Sequence, residues 1–106
     1  MPAPQELPTY TDSKKRHVIW HRKNYYSHLK KHPDIKQWKA KIGKILASPS
    51  HSIKNWGFKL ETITYWGDVE RYNKLGMELR IKVVVCYQGY LKSQGIIKTA
   101  HLDTFI

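Results

Sequence analysis

Residues 77–87 read Met-Glu-Leu-Arg-Ile-Lys-Val-Val-Val-Cys-Tyr, and the fold turns on how this stretch is read. Apolar β-branched residues crowd its centre, Ile81 to Val85. Such a run fits a strand buried on both faces, and hence a central place in a sheet. Cys86 lies inside the run and reads as a small buried hydrophobe. It is the single cysteine, so no intrachain disulfide is possible, which suits a reducing compartment.

The flanks of this strand keep the two-residue period. Upstream, Phe58, Leu60, Thr62, Thr64 and Trp66 alternate with other residues, as in a half-buried strand. Gly67-Asp68 reads as a turn, Val69–Tyr72 as a short strand and Asn73–Gly76 as a second turn. Downstream, Gln88-Gly89 turns the chain, Gln94-Gly95 suits a bulge, and Ile96–Leu102 makes a last strand.

The first half carries a helical period instead. A first helix is expected over Ser13–Lys31, with Asp12 or Ser13 as N-cap and Val18, Tyr25 and Leu29 on one stripe. His32-Pro33-Asp34 interrupts it, because proline disfavours helix at the preceding residue and suits the first turn of a new one. A second helix is expected over Asp34–Ala47, where Ile35, Trp38, Ile42, Ile45 and Leu46 follow a 3.6-residue period. Gly43 inside it offers room for close approach by another element, and Ser48-Pro49-Ser50 ends it. This order predicts an α+β fold: two N-terminal helices packed on one face of a three- to four-stranded antiparallel sheet. It occupies residues 13–106 as one domain, behind a flexible arm, residues 1–12, that holds three prolines.

The formal net charge is +11, and it is unevenly spread. Residues 1–60 carry 13 Lys/Arg and 3 acids, a balance of +10; residues 61–106 carry 6 and 5, a balance of +1. A basic face of this size raises encounter rates with phosphate polymers and makes binding salt-dependent. A nucleic acid is therefore the expected partner, RNA (tRNA or mRNA) first; an acidic membrane surface or an acidic protein shares the remainder. No apolar stretch approaches a membrane span, and the N-terminus lacks the pattern of a secretory signal, so no membrane partner and a cytoplasmic location are expected.

Histidines stand at 17, 21, 28, 32, 51 and 101. His17/His21 and His28/His32 have i, i+4 spacing, which zinc ligands also use. There is no HExxH motif and no second cysteine, so no metal is expected. Phosphate-loop and dinucleotide glycine motifs are absent, and the acids are scattered rather than clustered for two-metal chemistry, so no cofactor is expected either. RNA cleavage remains chemically open. Its nucleophile, the 2′-hydroxyl, sits in the substrate, so the protein need supply only a base, an acid and fixed positive charge. Histidine fits the first two roles and arginine the third. A non-catalytic RNA-binding module, or an interaction domain for an acidic partner, would use the same composition.

Ordered motifs narrow this. His17-Val18 is followed by His32-Pro33-Asp34-Ile35 entering a helix, which Ser48-Pro49-Ser50 closes. Then come Glu70-Arg71-Tyr72, the apolar strand Leu79–Val85, and Ile96-Ile97-Lys98-Thr99-Ala100-His101. Over roughly residues 14–102 this order resembles the phage-associated branch of the barnase/EndoU/colicin/RelE-like nuclease superfamily. The resemblance implies two helices against a four-stranded antiparallel sheet and metal-independent ribonuclease activity, often as a toxin or phage effector. An acidic immunity protein or antitoxin is the corresponding partner. It further implies His17 and His32 as acid/base candidates, Arg71 and Tyr72 as phosphate holders, and Thr99 as a hydroxyl that orients phosphate or a histidine. Asp34 replaces the acid of the family's histidine-proline-acid motif. The spacing leaves His28 as an alternative to either histidine, and His101 stands where tyrosine is commoner. The catalytic set so implied is His17, His32, Arg71 and Thr99; Tyr72, His28 and His101, together with the basic residues Lys14, Lys15 and Lys31, are the expected substrate contacts.

Overall fold

The computed structural model describes residues 9–20, 22–32, 37–57, 60–88 and 94–104. Its core is a six-stranded mixed sheet, β1 (Thr9–Thr11), β2 (His17–Trp20), β3 (His51–Gly57), β4 (Leu60–Tyr72), β5 (Glu78–Gln88) and β6 (Gln94–Thr104). The helices α1 (Arg22–Lys31) and α2 (Lys39–Ala47) lie between β2 and β3. The spatial order is β1-β2-β6-β5-β4-β3. Neighbours run antiparallel except β2 and β6, which are parallel.

This corrects the expected fold of two N-terminal helices on a three- to four-stranded antiparallel sheet. The chain enters the sheet before it enters the helices. His17-Val18-Ile19-Trp20 is β-branched and aromatic, and Val18 and Trp20 are buried at a spacing of two. The acid expected to cap a helix caps a hairpin turn instead. Asp12 Oδ1 accepts from the Lys14 and Arg16 backbone N–H groups at 2.9 and 2.8 Å, and Lys15 takes a positive φ of 64°. An aspartate that can satisfy backbone donors at a helix start can do the same in a turn. The helix therefore begins at Arg22 rather than Ser13. Residues 1–8 of the expected arm lie outside the described residues, as do residues 33–36, which hold Pro33, Asp34 and Ile35.

Three further boundaries differ. Residues 51–57 form an edge strand, although their sequence gives no clean alternation. Gly67-Asp68 is not a turn: β4 continues through it with register shifts between Trp66 and Arg71. The bulge of the last strand lies at Lys98, between the pairs Val85↔Ile97 and Val84↔Thr99, rather than at Gln94-Gly95.

The apolar run places β5 between β6 and β4. Ile81, Val83, Val85 and Tyr87 share one fully buried face with Ile97 and Ala100 of β6 and Ile63 and Tyr65 of β4. Tyr25 of α1 and Ile42, Ile45 and Leu46 of α2 complete the same cluster. Gly43 serves the purpose its position suggests: a Cβ there would meet the Tyr10 ring of β1 at 3.2 Å.

A buried polar network locks the β1–β2 turn to the sheet. Asp12 Oδ2 accepts from Arg16 Nε at 2.7 Å and from the Tyr87 hydroxyl at 2.7 Å. With Tyr87 donating to the carboxylate, Tyr65 donates to Tyr87 at 2.7 Å. The Arg16 guanidinium also lies over the Tyr87 ring at 3.8 Å, a cation–π contact. Burial pushes the Asp12 carboxyl up. Donation from the Arg16 backbone, Tyr87 and the Arg16 side chain outweighs burial and holds the carboxyl below its ordinary value.

Candidate active site

β2 ends at Trp20, paired with Ile97, whereas β6 runs on to Thr104. The chain turns there into α1, whose last turns reach the continuing part of β6. The Lys98 bulge resets the alternation, so Thr99, His101 and Asp103 share one face of β6, opposite Val84, Lys82 and Arg80 of β5. The i, i+4 spacing of His28 and His32 brings both to the end of α1. Two local periods, four on the helix and two on the strand, thus meet at one point.

His28 is half-buried. Its Nδ1 lies 3.1 Å from the Asn24 carbonyl oxygen and its Nε2 2.9 Å from Thr99 Oγ1. Its ring packs 5.6 Å from that of Trp20. Burial chiefly lowers its pKa; the bond to Asn24 opposes this, and nearby positive charge at His32, His101 and Lys31 adds to the lowering. Thr99 Oγ1 also lies 3.1 Å from His101 Nδ1. The His32 ring stacks on His101, centroids 5.8 Å apart and planes at 19°, and lies 6.2 Å from His28. The His32 backbone N–H donates to the His28 carbonyl at 2.7 Å, which extends the helical turn to place the ring. Among the described residues no hydrogen bond engages the His32 ring nitrogens.

Asp103 closes the cluster. Its Oδ2 is 3.6 Å from His101 Nε2 and 3.4 Å from Lys82 Nζ, and its Oδ1 accepts from the Thr104 N–H at 2.8 Å. Burial raises the Asp103 carboxyl, but the Thr104 N–H and the Lys82 ammonium outweigh it and hold the carboxyl below the usual range. A cationic His101 therefore finds acceptors on both sides, Thr99 Oγ1 and the Asp103 carboxylate.

Of the residues singled out from sequence, the fold brings together His28, His32, Thr99 and His101, with Lys31 exposed on the last turn of α1. His17 stands apart. It is exposed at the start of β2 and paired with Thr11 and Gln94. Gln94 precedes Thr99 by five residues, roughly 16 Å along a strand. Lys14 and Lys15 lie in the exposed β1–β2 turn, farther still. Arg71 pairs with Leu79, on the sheet face opposite His101. It lines a cavity of about 250 Å³ with Gln37, Trp38, Glu70 and Leu102. Tyr72 is 64% exposed beside it.

Asn24, Asp103 and Lys82 were not legible as site residues, although Thr99-x-His101-x-Asp103 is a strand-face pattern in plain view. Among the described residues no group of three or more His, Cys, Asp or Glu side chains is arranged to hold a metal ion. None of their helices is long and apolar enough to cross a membrane. No family model, curated protein or solved structure matches the chain.

Proposed function

We propose that this protein is a metal-independent ribonuclease with His32 as base and His101 as acid. The observation that carries the reading is the stacked His32–His101 pair beside Thr99 and His28, on the strand that holds the Ile-Ile-Lys-Thr-Ala-His motif. The basic first half of the chain, and the rest of the motif order resembling the barnase/EndoU/colicin/RelE-like nucleases, add to it. In this scheme neutral His32 takes the proton of an RNA 2′-hydroxyl. The 2′-oxygen attacks phosphorus, and the 5′-oxygen leaves with the Nε2 proton of His101. The products are a 2′,3′-cyclic phosphate and a 5′-hydroxyl end. Lys31 supplies fixed positive charge at the rim, a role sequence reasoning gave to Arg71.

The test is incubation of purified protein with tRNA and mRNA in excess EDTA. Cleavage to cyclic-phosphate ends is expected. His32→Ala and His101→Ala should each lose about 10²–10⁴-fold in rate, the usual worth of general acid–base catalysis, and His17→Ala should stay within about threefold. Intact RNA at high concentrations of folded protein sinks the reading. Salt-sensitive RNA binding without cleavage would leave a binding module in its place.

A further inference from the structure

The polar chain behind His101 runs in one direction only. A carbonyl oxygen accepts and never donates, so His28 Nδ1, 3.1 Å from the Asn24 carbonyl, carries a proton. In neutral His28 the other nitrogen, Nε2, is then a bare acceptor. Thr99 has a single hydroxyl hydrogen, and at 2.9 Å it is committed to that acceptor. The Thr99 oxygen can therefore only accept from His101 Nδ1, 3.1 Å away. The charged and titratable groups around this chain are Lys31 from α1, His32 just after it, Lys82 from β5 and Asp103 from β6.

We infer that His28 and Thr99 form a tautomer clamp: they hold the proton on His101 Nδ1, so that any proton His101 gains or loses passes through Nε2. This inference rests on the ribonuclease reading for its purpose, though not for its geometry. A free neutral imidazole exchanges its proton between both nitrogens, and the tautomer in a protein is set by the bond the other nitrogen makes. Here the backbone carbonyl of Asn24 sets it at one remove, through a second histidine and a hydroxyl. His28 has both nitrogens engaged and is a positioning residue; Thr99 is its relay. His101 Nε2, facing Asp103 and the side of the cluster away from Thr99, is left as the working nitrogen.

The clamp is read without substrate. Long-range proton–nitrogen NMR of the ¹⁵N-labelled full chain above the His101 titration should show Nδ1 protonated in both His28 and His101. Thr99→Val keeps the β-branched shape and removes the hydroxyl, and His101 should then shift to the Nε2–H form. Thr99→Ser should keep Nδ1–H. If Thr99→Val fails to fold, His28→Leu makes the same test, because it frees the Thr99 hydrogen to turn toward His101 Nδ1. An Nε2–H tautomer in the unaltered protein, or no change in the variants, overturns the clamp. In an RNA cleavage assay Thr99→Val should lower kcat by at least about 10²-fold and alter the pH profile, with Thr99→Ser within about threefold. The two readings fail separately. A correct tautomer pattern in a protein that leaves RNA intact keeps the clamp and ends the ribonuclease. Undiminished cleavage by Thr99→Val with an unchanged tautomer does the reverse.

Discussion

Replacing Asp12 with alanine removes the acceptor on which the β1–β2 turn converges. Its carboxylate takes the Lys14 and Arg16 backbone N–H groups, the Arg16 side chain and the Tyr87 hydroxyl. Arg16 is 16% exposed, so truncation leaves a mostly buried guanidinium without this partner, together with a buried phenol. Breaking a buried charge pair by removing one side costs about 3–5 kcal/mol. Residual attraction of Arg16 to Glu61, 3.9 Å away, argues for the middle of that range. A loss near 4 kcal/mol at roughly 4–8 °C per kcal/mol lowers Tm by roughly 15–30 °C. Asp12→Asn keeps an acceptor oxygen but no charge, and should lose about half as much. The pH dependence follows from the lowered carboxyl. Its contribution is full above the unfolded value of about 3.9 and is lost as pH falls through the folded-state value. Urea unfolding of the three proteins at neutral pH, and again toward pH 3, measures both effects. A loss below about 1 kcal/mol for Asp12→Ala, or an Asp12→Asn variant as acid-sensitive as the parent, would refute the reasoning.

The remaining predictions concern packing, backbone and charge. Leu46→Ala, in the fully buried cluster, should cost about 2–5 kcal/mol in urea unfolding, whereas Leu75→Ala, at a site 84% exposed, should stay within about 0.5 kcal/mol. Gly76→Ala, at a φ of 77°, should cost about 1–2 kcal/mol in the same measurement, because a side chain there meets left-handed strain in otherwise open space. Removing Lys30 and Lys31 together should reduce the slope of log binding constant against log salt for single-stranded RNA by roughly 1.4, measured by fluorescence anisotropy.

Parts of this architecture can be read locally, and parts cannot. The run Ile81–Val85 announces a central strand, which β5 is, but not burial on both faces: Lys82 and Val84, on the face away from the core, are half-exposed. The stripe Ile42, Ile45, Leu46 announces a helix face because only a 3.6-residue period places all three inward. The segment 9–20 misleads for a physical reason. Val18, Tyr25 and Leu29 fit a helical stripe, while Val18 and Trp20 fit a strand, and a four-residue strand is too short for its own pattern to decide. What decides is β6, more than seventy residues away, whose backbone β2 pairs with in parallel. The site divides similarly. The spacing of His28 and His32 is visible in the sequence, and so is that of Thr99 and His101. Their meeting depends on a bulge at Lys98 that no turn residue marks. His17 and Arg71 look like partners in a list of motifs, yet strand direction and pleat send them elsewhere.

The parallel pairing of β2 with β6 also dictates a schedule. A chain growing from the ribosome makes the basic helix, with His28 and His32, long before residues 94–104 emerge. Until then β2 has only the short strand β1 beside it, and the helical histidines have no Thr99 or His101 to meet. The pairing of β2 with β6 joins residues more than seventy positions apart, the kind of contact that loop entropy makes slow to form. The histidine cluster cannot assemble before Thr99 and His101 have been made. A nascent chain therefore carries most of its positive charge well before the histidine cluster exists.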